Sequence, residues 1–257
     1  MTLHRQHRAS TAPLRQVLLG LTFAVAGAGL AVAADVPSGH PVAVVELFTS
    51  QGCSSCPPAN DNIARLATRK DVLALSFGVT YWDRLGWKDT FASPQFTGRQ
   101  WAYARTLHHD NVFTPQVVVN GRADTVGQRL TEIDALIAGN SIAGGPALSL
   151  SSGTVRIGAG RAPAGHPADV WLVRYEPGVI EVPVRRGENT GRTLPHAHVV
   201  RNLVKLGTWD GHPAGIPLPA GPDGLAVAVL VQTSGTGPVI AAIAADHMSS
   251  DKMASSH

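Results

Sequence analysis

The chain has 257 residues, with 21 Lys and Arg against 18 Asp and Glu, and it contains only two cysteines. Three of the basic residues lie within the first 15 positions, and the remaining ones equal the acidic residues in number. Balanced charge scattered along a chain is not typical of a nucleic-acid-binding protein, so we exclude nucleic acid as a partner. The length is sufficient for one large or two small domains.

The N-terminus has the three parts of a secretory signal peptide. Arg5, Arg8 and Arg15 form a basic region, an apolar stretch covers residues 17–30, and small residues follow. The apolar stretch is short for a membrane span and contains three glycines, which favours removal over anchoring. We therefore predict a signal peptide over residues 1–34 and no stable membrane insertion after cleavage. The mature protein would be periplasmic or secreted, in an oxidising compartment where disulfides persist.

Residues 41–140 alternate predicted strands and helices in the order β-α-β-α-β-β-α. The runs PVAVVELF and DVLALSFGVT have the continuous apolar character of strands that are buried on both faces. Ser93 followed by Pro94 predicts the start of a helix, and Asn120-Gly121 after QVVV predicts a hairpin. Because helical crossovers join the first three strands, we predict that these strands are parallel, in an α/β domain.

A different pattern follows a glycine-rich linker. Residues 147–248 contain short alternating apolar runs between turn residues, namely ALSLSS, TVRIGA, ADVWLVRY, VIEVPVR, LAVAVLVQ and GPVIAAIAA. Such runs predict a mostly antiparallel, β-sandwich-like domain. The segment HVVRNLVKLGTW is predicted to be a helix that interrupts the strands, and residues 249–257 are predicted to be a disordered tail.

The two cysteines, Cys53 and Cys56, lie between the first predicted strand and the first predicted helix. A purely structural disulfide there would stabilise the fold little, because the stabilisation grows with the length of the closed loop. A closed zinc site would need two more ligands, whereas a Cu(I) site needs fewer. A C-x-x-C pair beside a β-α-β pattern is typical of a thioredoxin-like redox centre. We favour dithiol exchange, and a copper or zinc carrier and a redox-inert interaction module remain as alternatives.

Two prolines after the cysteines indicate where the first helix begins. Pro57 and Pro58 lack an N–H and therefore fit only the first helical turn, with Ser55 as a candidate N-cap. Cys53 then faces the positive end of the helix, and Cys56 lies inside the first turn. We predict that Cys53 is the attacking thiol and Cys56 the resolving thiol. The prolines also delete two N–H donors, so the helix should stabilise the Cys53 thiolate only modestly.

Two further candidates for the catalytic site lie outside the cysteine motif. Thr114 and Pro115 precede the third predicted strand, where thioredoxin-like proteins place a cis-proline against the cysteine pair; the alternative is an ordinary edge-strand proline. Glu46 lies inside the first strand. It is either a buried acid that accepts a proton from the resolving thiol, or a solvated residue at the strand end.

Several stretches together resemble one protein family: VVELFTSQGCSSCPPAND, YWDRLGWKDTFASPQFTGRQ, FTPQVVVNGR, RGENTGRTL, VVRNL and LGTWDG. The chain resembles, over about residues 42–209, a family of secreted bacterial proteins of unknown function with a thioredoxin-like domain. The resemblance implies a thioredoxin-like fold. Two departures matter: the family usually has His-Val-Asp where Gly78, Val79 and Thr80 stand, and Asn where His198 stands. If the His and Asp assist proton transfer in relatives, this protein is expected to be slower or specialised.

Aromatic residues are concentrated after the second strand. They form either a satellite core beneath a long insertion or an apolar wall that binds an extended partner. The substrate-binding candidates in and near this segment are Tyr81, Trp82, Asp83, Trp87 and Phe113.

Two polar features complete the candidates. His196 and His198 would share one face of a strand, as a possible metal pair or as ordinary hydrogen-bonded residues. The loop RGENTGR, residues 186–192, either fixes an interface between the domains or binds an anion, and we favour the interface.

These features together predict an exported thiol–disulfide oxidoreductase that acts on exported protein or peptide thiols. Its cofactor would be the redox-active disulfide alone, with metal bound by Cys53 and Cys56 as the alternative. The predicted catalytic residues are Cys53, Cys56, Thr114, Pro115 and Glu46.

Overall fold

A computed structural model describes most of the chain after the N-terminal segment, namely residues 43–142, 144–151, 153–163 and 166–245. The predicted signal peptide and the predicted C-terminal tail lie outside these residues. None of the helices in the described ranges is long and apolar enough to cross a membrane.

The first half forms a four-stranded sheet, in the order β2-β1-β3-β4, with helices in the connections. Its elements are β1 (Ala43–Thr49), α1 (Pro57–Leu66), β2 (Val72–Gly78), α2 (Pro94–Thr106), β3 (Gln116–Val119), β4 (Ala123–Thr125) and α3 (Leu130–Gly139). The predicted order β-α-β-α-β-β-α is confirmed. A short 3₁₀ helix, Asp83–Leu85, lies between β2 and α2.

Strand β3 corrects one prediction about this sheet. β1 and β2 are parallel, as expected for strands joined by α1, but β3 is antiparallel to β1. Residues 107–115 return the chain from the end of α2 to the end of β1, where Gln116 pairs with Phe48. β3 therefore begins where β1 ends, and the prediction of three parallel strands is wrong for β3.

The second half consists of strands. They are β5 (Leu148–Ser151), β6 (Thr154–Ile157), β7 (Ala168–Tyr175), β8 (Val179–Pro183), β9 (Thr193–Ala197), β10 (Val200–Trp209), β11 (Ala214–Pro217), β12 (Ala226–Thr233) and β13 (Val239–Ala245). They form the sheets β10-β7-β12-β13 and β11-β6-β5 and the hairpin β8-β9. Each of these described pairings is antiparallel.

Strand β10 occupies the segment HVVRNLVKLGTW, for which a helix was predicted, so that prediction is wrong. The pairing of β10 with β7 shifts register twice, between Val200 and Asn202 and between Lys205 and Gly207. Each shift moves the inward-facing positions by one residue. The apolar residues of β10 therefore lose the period of two by which a strand is recognised in a sequence.

The β10-β7-β12-β13 sheet is buried on both faces. Along β7, Val170 and Leu172 pack with the β11-β6-β5 sheet, whereas Val173 and Tyr175 join a hydrophobic cluster that includes Phe48 of β1. One core therefore passes through both halves, and the described residues belong to one compact unit. In a second cluster, Ala197 of β9 packs with Ala59 and Ile63 of α1, which places the hairpin β8-β9 against the helix that follows the cysteines.

Candidate functional site

The two cysteines form a disulfide in the turn that connects β1 to α1. The N–H of Cys53 donates to the carbonyl of Ser50 at 3.1 Å, and the N–H of Cys56 donates to the carbonyl of Cys53 at 3.2 Å. These two turns bring the sulfurs together. Cys53 and Cys56 are both 0% exposed, so other parts of the protein cover the disulfide.

The start of α1 provides few hydrogen-bond donors to the disulfide. Cys56 is the N-cap, one residue after the predicted Ser55, and the Pro57–Pro58 pair occupies the first two helical positions. The next two N–H groups, those of Ala59 and Asn60, both donate to the carbonyl of Cys56. The usual anion-binding groups of a helix N-terminus are thus either deleted or already used.

Ser55 links Cys53 to the predicted proline motif. Its hydroxyl oxygen lies 3.3 Å from the sulfur of Cys53 and 3.4 Å from the carbonyl oxygen of Thr114. The peptide bond between Thr114 and Pro115 is cis. The side-chain amide of Gln128 donates to the carbonyl of Ser55 at 2.8 Å and holds this residue in place. The predicted residues Cys53, Thr114 and Pro115 therefore lie together.

Two of the five substrate-binding candidates donate hydrogen bonds to this site. The indole N–H of Trp82 donates to the hydroxyl of Thr114 at 2.7 Å. The indole N–H of Trp87 donates to the side-chain oxygen of Gln51 at 2.8 Å. Both indoles are partly buried, so their rings flank the cysteine turn with their polar atoms satisfied.

The other three candidates play different parts. Burial raises the pKa of Tyr81, and the side chains of Thr114 and Gln100 beside its hydroxyl oppose this rise, so Tyr81 lies next to Thr114. The carboxylate of Asp83 accepts the N–H of Asp89 at 3.1 Å and shapes the loop after β2. The carbonyl of Phe113 accepts from the side-chain amide of Gln100 at 2.7 Å.

Glu46 is buried in an ion pair, so the alternative of a solvated residue is wrong. Its side chain is 1% exposed and accepts two hydrogen bonds from Arg99, at 2.6 and 2.9 Å, and one from the hydroxyl of Tyr103 at 2.6 Å. Arg99 also donates to Gln232 of β12 at 3.1 Å. Burial alone would lower the pKa of Arg99, but the Glu46 carboxylate beside it raises the pKa above its ordinary value. This network connects β1, α2 and β12.

The tip of the β8-β9 hairpin, residues 184–192, lies on the cysteine turn. Asn189 is 0% exposed, and its side-chain amide donates to the carbonyl of Gln51 at 3.0 Å and to that of Cys53 at 2.8 Å. Arg192 donates to the side-chain oxygen of Asn189 at 2.9 Å and orients the amide. The interface predicted for this loop is therefore located at the disulfide itself.

Glu188 of the hairpin tip binds the residue after Cys53. Its carboxylate accepts the hydroxyl of Ser54 at 2.6 Å and the N–H of Ser54 at 3.1 Å. These hydrogen bonds hold the pKa of the Glu188 carboxyl below its usual range. The motif RGENTGR was visible in the sequence, but nothing in it indicated contact with a turn more than a hundred residues away.

Asp89 is a further residue at the site that the sequence analysis missed. It is buried, and its carboxylate accepts the N–H of Gln51 at 2.7 Å and that of Phe91 at 2.8 Å. Burial raises the pKa of Asp89. Asp89 thereby holds the residue that both Trp87 and Asn189 contact, two positions before Cys53.

In the described part of the chain, His196 and His198 do not belong to a metal site. His196 is buried, and burial lowers its pKa to about 4. The Nδ1 atom of His198 lies 2.9 Å from the carbonyl oxygen of Ala74. Among the described residues, no group of three or more His, Cys, Asp or Glu side chains is arranged to hold a metal ion.

Comparisons with known proteins place this chain beside proteins of similar architecture. The crystal structure of protein AGR_C_4864 from Agrobacterium tumefaciens is similar to this structure, with a TM-score of 0.64. The two sequences are 31% identical, and the match covers 79% of this chain and 93% of that chain. HBP35 of Porphyromonas gingivalis is 15% identical in sequence, and the match covers 86% of this chain and 80% of that chain with a TM-score of 0.52. This match is a likeness of fold alone. A search of curated proteins gives no match. A sequence model of a family described as a protein of unknown function, DUF1223, matches residues 44–232. The chain therefore belongs to the DUF1223 family of proteins of unknown function.

Proposed function

We propose that this protein is an exported thiol–disulfide exchange protein whose first half is thioredoxin-like. The observation that carries the proposal is the disulfide at the start of α1, joined through the Ser55 hydroxyl to Thr114 and its cis-proline. The sheet order β2-β1-β3-β4, with β3 antiparallel, agrees with this assignment. Because two cysteines so close in sequence close only a small loop, their disulfide would add little stability. Thiol–disulfide exchange therefore explains the pair better than a structural role.

The exchange would proceed in two steps. The Cys53 thiolate of the reduced protein attacks a partner disulfide; a bond forms between Cys53 and one partner sulfur, and the other partner sulfur leaves as a thiolate. The Cys56 thiolate then attacks the sulfur of Cys53, re-forms the disulfide and releases the second partner thiolate. Two electrons pass from the cysteine pair to the partner, and the leaving thiolates take protons from solvent. The reverse sequence oxidises a partner dithiol.

Cys53 is the better attacking residue of the two. The Ser55 hydroxyl, 3.3 Å from its sulfur, can donate to a Cys53 thiolate, and a hydrogen bond to the charged form favours that form. Cys56 is instead the N-cap of α1, and its carbonyl accepts two N–H groups of the first turn. Cys56 is thereby held at the start of α1, beside Cys53, as the resolving residue.

The partners would be exported proteins or peptides that carry thiols or disulfides. The basic and apolar N-terminal segment supports export, and an exported protein meets such partners in an oxidising compartment. The disulfide itself would be the only redox cofactor.

The direct test is reduction of a disulfide-linked fluorogenic peptide by the reduced protein. The wild type should accelerate the reaction, Cys53→Ser should abolish the acceleration, and Cys56→Ser should accumulate a mixed disulfide that mass spectrometry detects. Equal rates for the wild type and Cys53→Ser would refute the proposal. Stoichiometric copper or zinc in the anaerobically purified protein, together with such equal rates, would favour the carrier instead.

A further inference from the structure

The disulfide is closed to an incoming thiol in this structure. Thiol–disulfide exchange requires a thiolate to approach a sulfur atom directly. Cys53 and Cys56 are both 0% exposed. Whatever covers them must therefore move before a partner reacts, so the residues that form the cover control the site.

The hairpin tip forms part of this cover. Four hydrogen bonds join Glu188 and Asn189 to the turn that carries Cys53. A side-chain carbon placed on Gly187 would lie 3.7 Å from Cβ of Trp87 and 4.0 Å from Cα of Gly52. The backbone of the tip thus passes directly over the residue that precedes Cys53.

The base of the hairpin and its tip are held differently. The base is fixed by the pairing of β8 with β9. Two backbone hydrogen bonds extend this pairing into the tip: the N–H of Val184 donates to the carbonyl of Arg192, and the carbonyl of Val184 accepts the N–H of Gly191. The contacts of the tip with the cysteine turn are polar; those of Glu188 lie at the surface, whereas those of Asn189 are buried. Surface polar contacts exchange with water at low cost, and the strand pairing at the base does not open so easily.

The groups that the tip occupies are those an extended polypeptide would use. Asn189 binds the carbonyls of Gln51 and Cys53, and Glu188 binds the N–H of Ser54. A partner chain offers backbone donors and acceptors of the same kind and can replace these contacts. Displacement of the tip and engagement of the partner would then be one event.

We propose that residues 185–191 are a gate that closes over the Cys53–Cys56 disulfide and must be displaced before exchange. The gate regulates the site of the proposed function and rests on that proposal. In the closed state the disulfide resists thiols; in the open state the sulfur of Cys53 is accessible while β8 and β9 remain paired.

The gate is tested by the rate at which dithiothreitol reduces the disulfide, followed by alkylation and intact mass measurement. Asn189→Ala removes both contacts to the backbone carbonyls and should accelerate reduction about 10- to 30-fold. This factor assumes that each of the two contacts stabilises the closed state by the net free energy of one hydrogen bond. Glu188→Ala should accelerate reduction severalfold. Glu181→Ala is the matched control, because Glu181 is exposed on β8 of the same hairpin, and its rate should equal that of the wild type.

Failure of the gate and failure of the proposed function give different results. Unchanged rates in both Glu188→Ala and Asn189→Ala overturn the gate, even where the peptide assay shows exchange. Faster reduction in both variants without exchange on the peptide supports the gate and refutes the proposed function. Because Asn189 is buried, its variant is compared with the wild type by urea unfolding; if it unfolds, the Glu188→Ala rate alone decides.

Discussion

Replacement of Arg99 by Met tests whether the buried pair with Glu46 is a structural connection. Arg99 supplies two of the three hydrogen bonds that the Glu46 carboxylate accepts, and both side chains are almost fully buried. Arg99→Met leaves a carboxylate charge without its counter-ion inside the core. Removal of one member of a buried pair costs about 3–5 kcal/mol of the free energy of unfolding.

The double variant Arg99→Met with Glu46→Leu separates the lost pair from the stranded charge. It removes both charges and should recover most of the stability, because apolar side chains of similar volume often replace a buried pair without net loss. Urea unfolding followed by circular dichroism gives the free energies of unfolding by linear extrapolation. A cost below about 1 kcal/mol for Arg99→Met, or a double variant as unstable as the single one, would refute the reasoning.

The same pair bears on the proton-acceptor role considered for Glu46. A carboxylate that already accepts three hydrogen bonds, two of them from a guanidinium, is a poor acceptor for a thiol proton. We therefore expect Glu46→Gln to lower stability but to leave the pH profile of cysteine alkylation in the reduced protein unchanged. A displaced profile would restore the catalytic role of Glu46.

Three further outcomes are expected. Ser55→Ala removes the donor to the Cys53 thiolate and should slow alkylation of Cys53 at neutral pH by up to about tenfold; an unchanged rate contradicts this. His196 remains neutral in the folded protein down to a pKa of about 4, whereas the unfolded chain binds a proton below about 6.5. Stability should therefore fall by about 3 kcal/mol between pH 7 and pH 4, and pH-dependent urea unfolding of His196→Gln should lack this part of the loss. Gly78→Ala should destabilise the protein by about 1–3 kcal/mol in thermal or urea unfolding, because its Cβ would lie 2.7 Å from the backbone of Phe91.

Local signals in the sequence predicted much of the first half. Ser93 accepts the N–H of Gln95 as the N-cap of α2, with Pro94 in the first helical turn. Asn120 and Gly121 both have positive φ and connect β3 to β4. Each of these signals acts within a few residues. Each can therefore be identified in a single sequence without knowledge of contacts between distant segments.

Contacts between distant segments could not be predicted in this way. The carboxylate of Glu188 and the amide of Asn189 have the same chemistry in any polar loop, and only the folded hairpin brings them to Ser54 and Cys53. The direction of β3 likewise depends on the path of the chain after α2, for which the sequence contains no local signal.

Backbone geometry accounts for two of the positions that depart from the family pattern, Gly78 and His198. His198 has a φ of +46°, in the left-handed region where Asn is favoured among non-glycine residues, so the usual Asn suits the conformation. The carbonyl of Gly78 accepts the N–H of Ser93, and the backbone of residues 91–92 approaches too closely for any side chain at position 78. A relative with His at this position must hold the start of α2 farther from β2. The changes at Gly78 and His198 thus concern how segments pack around β2.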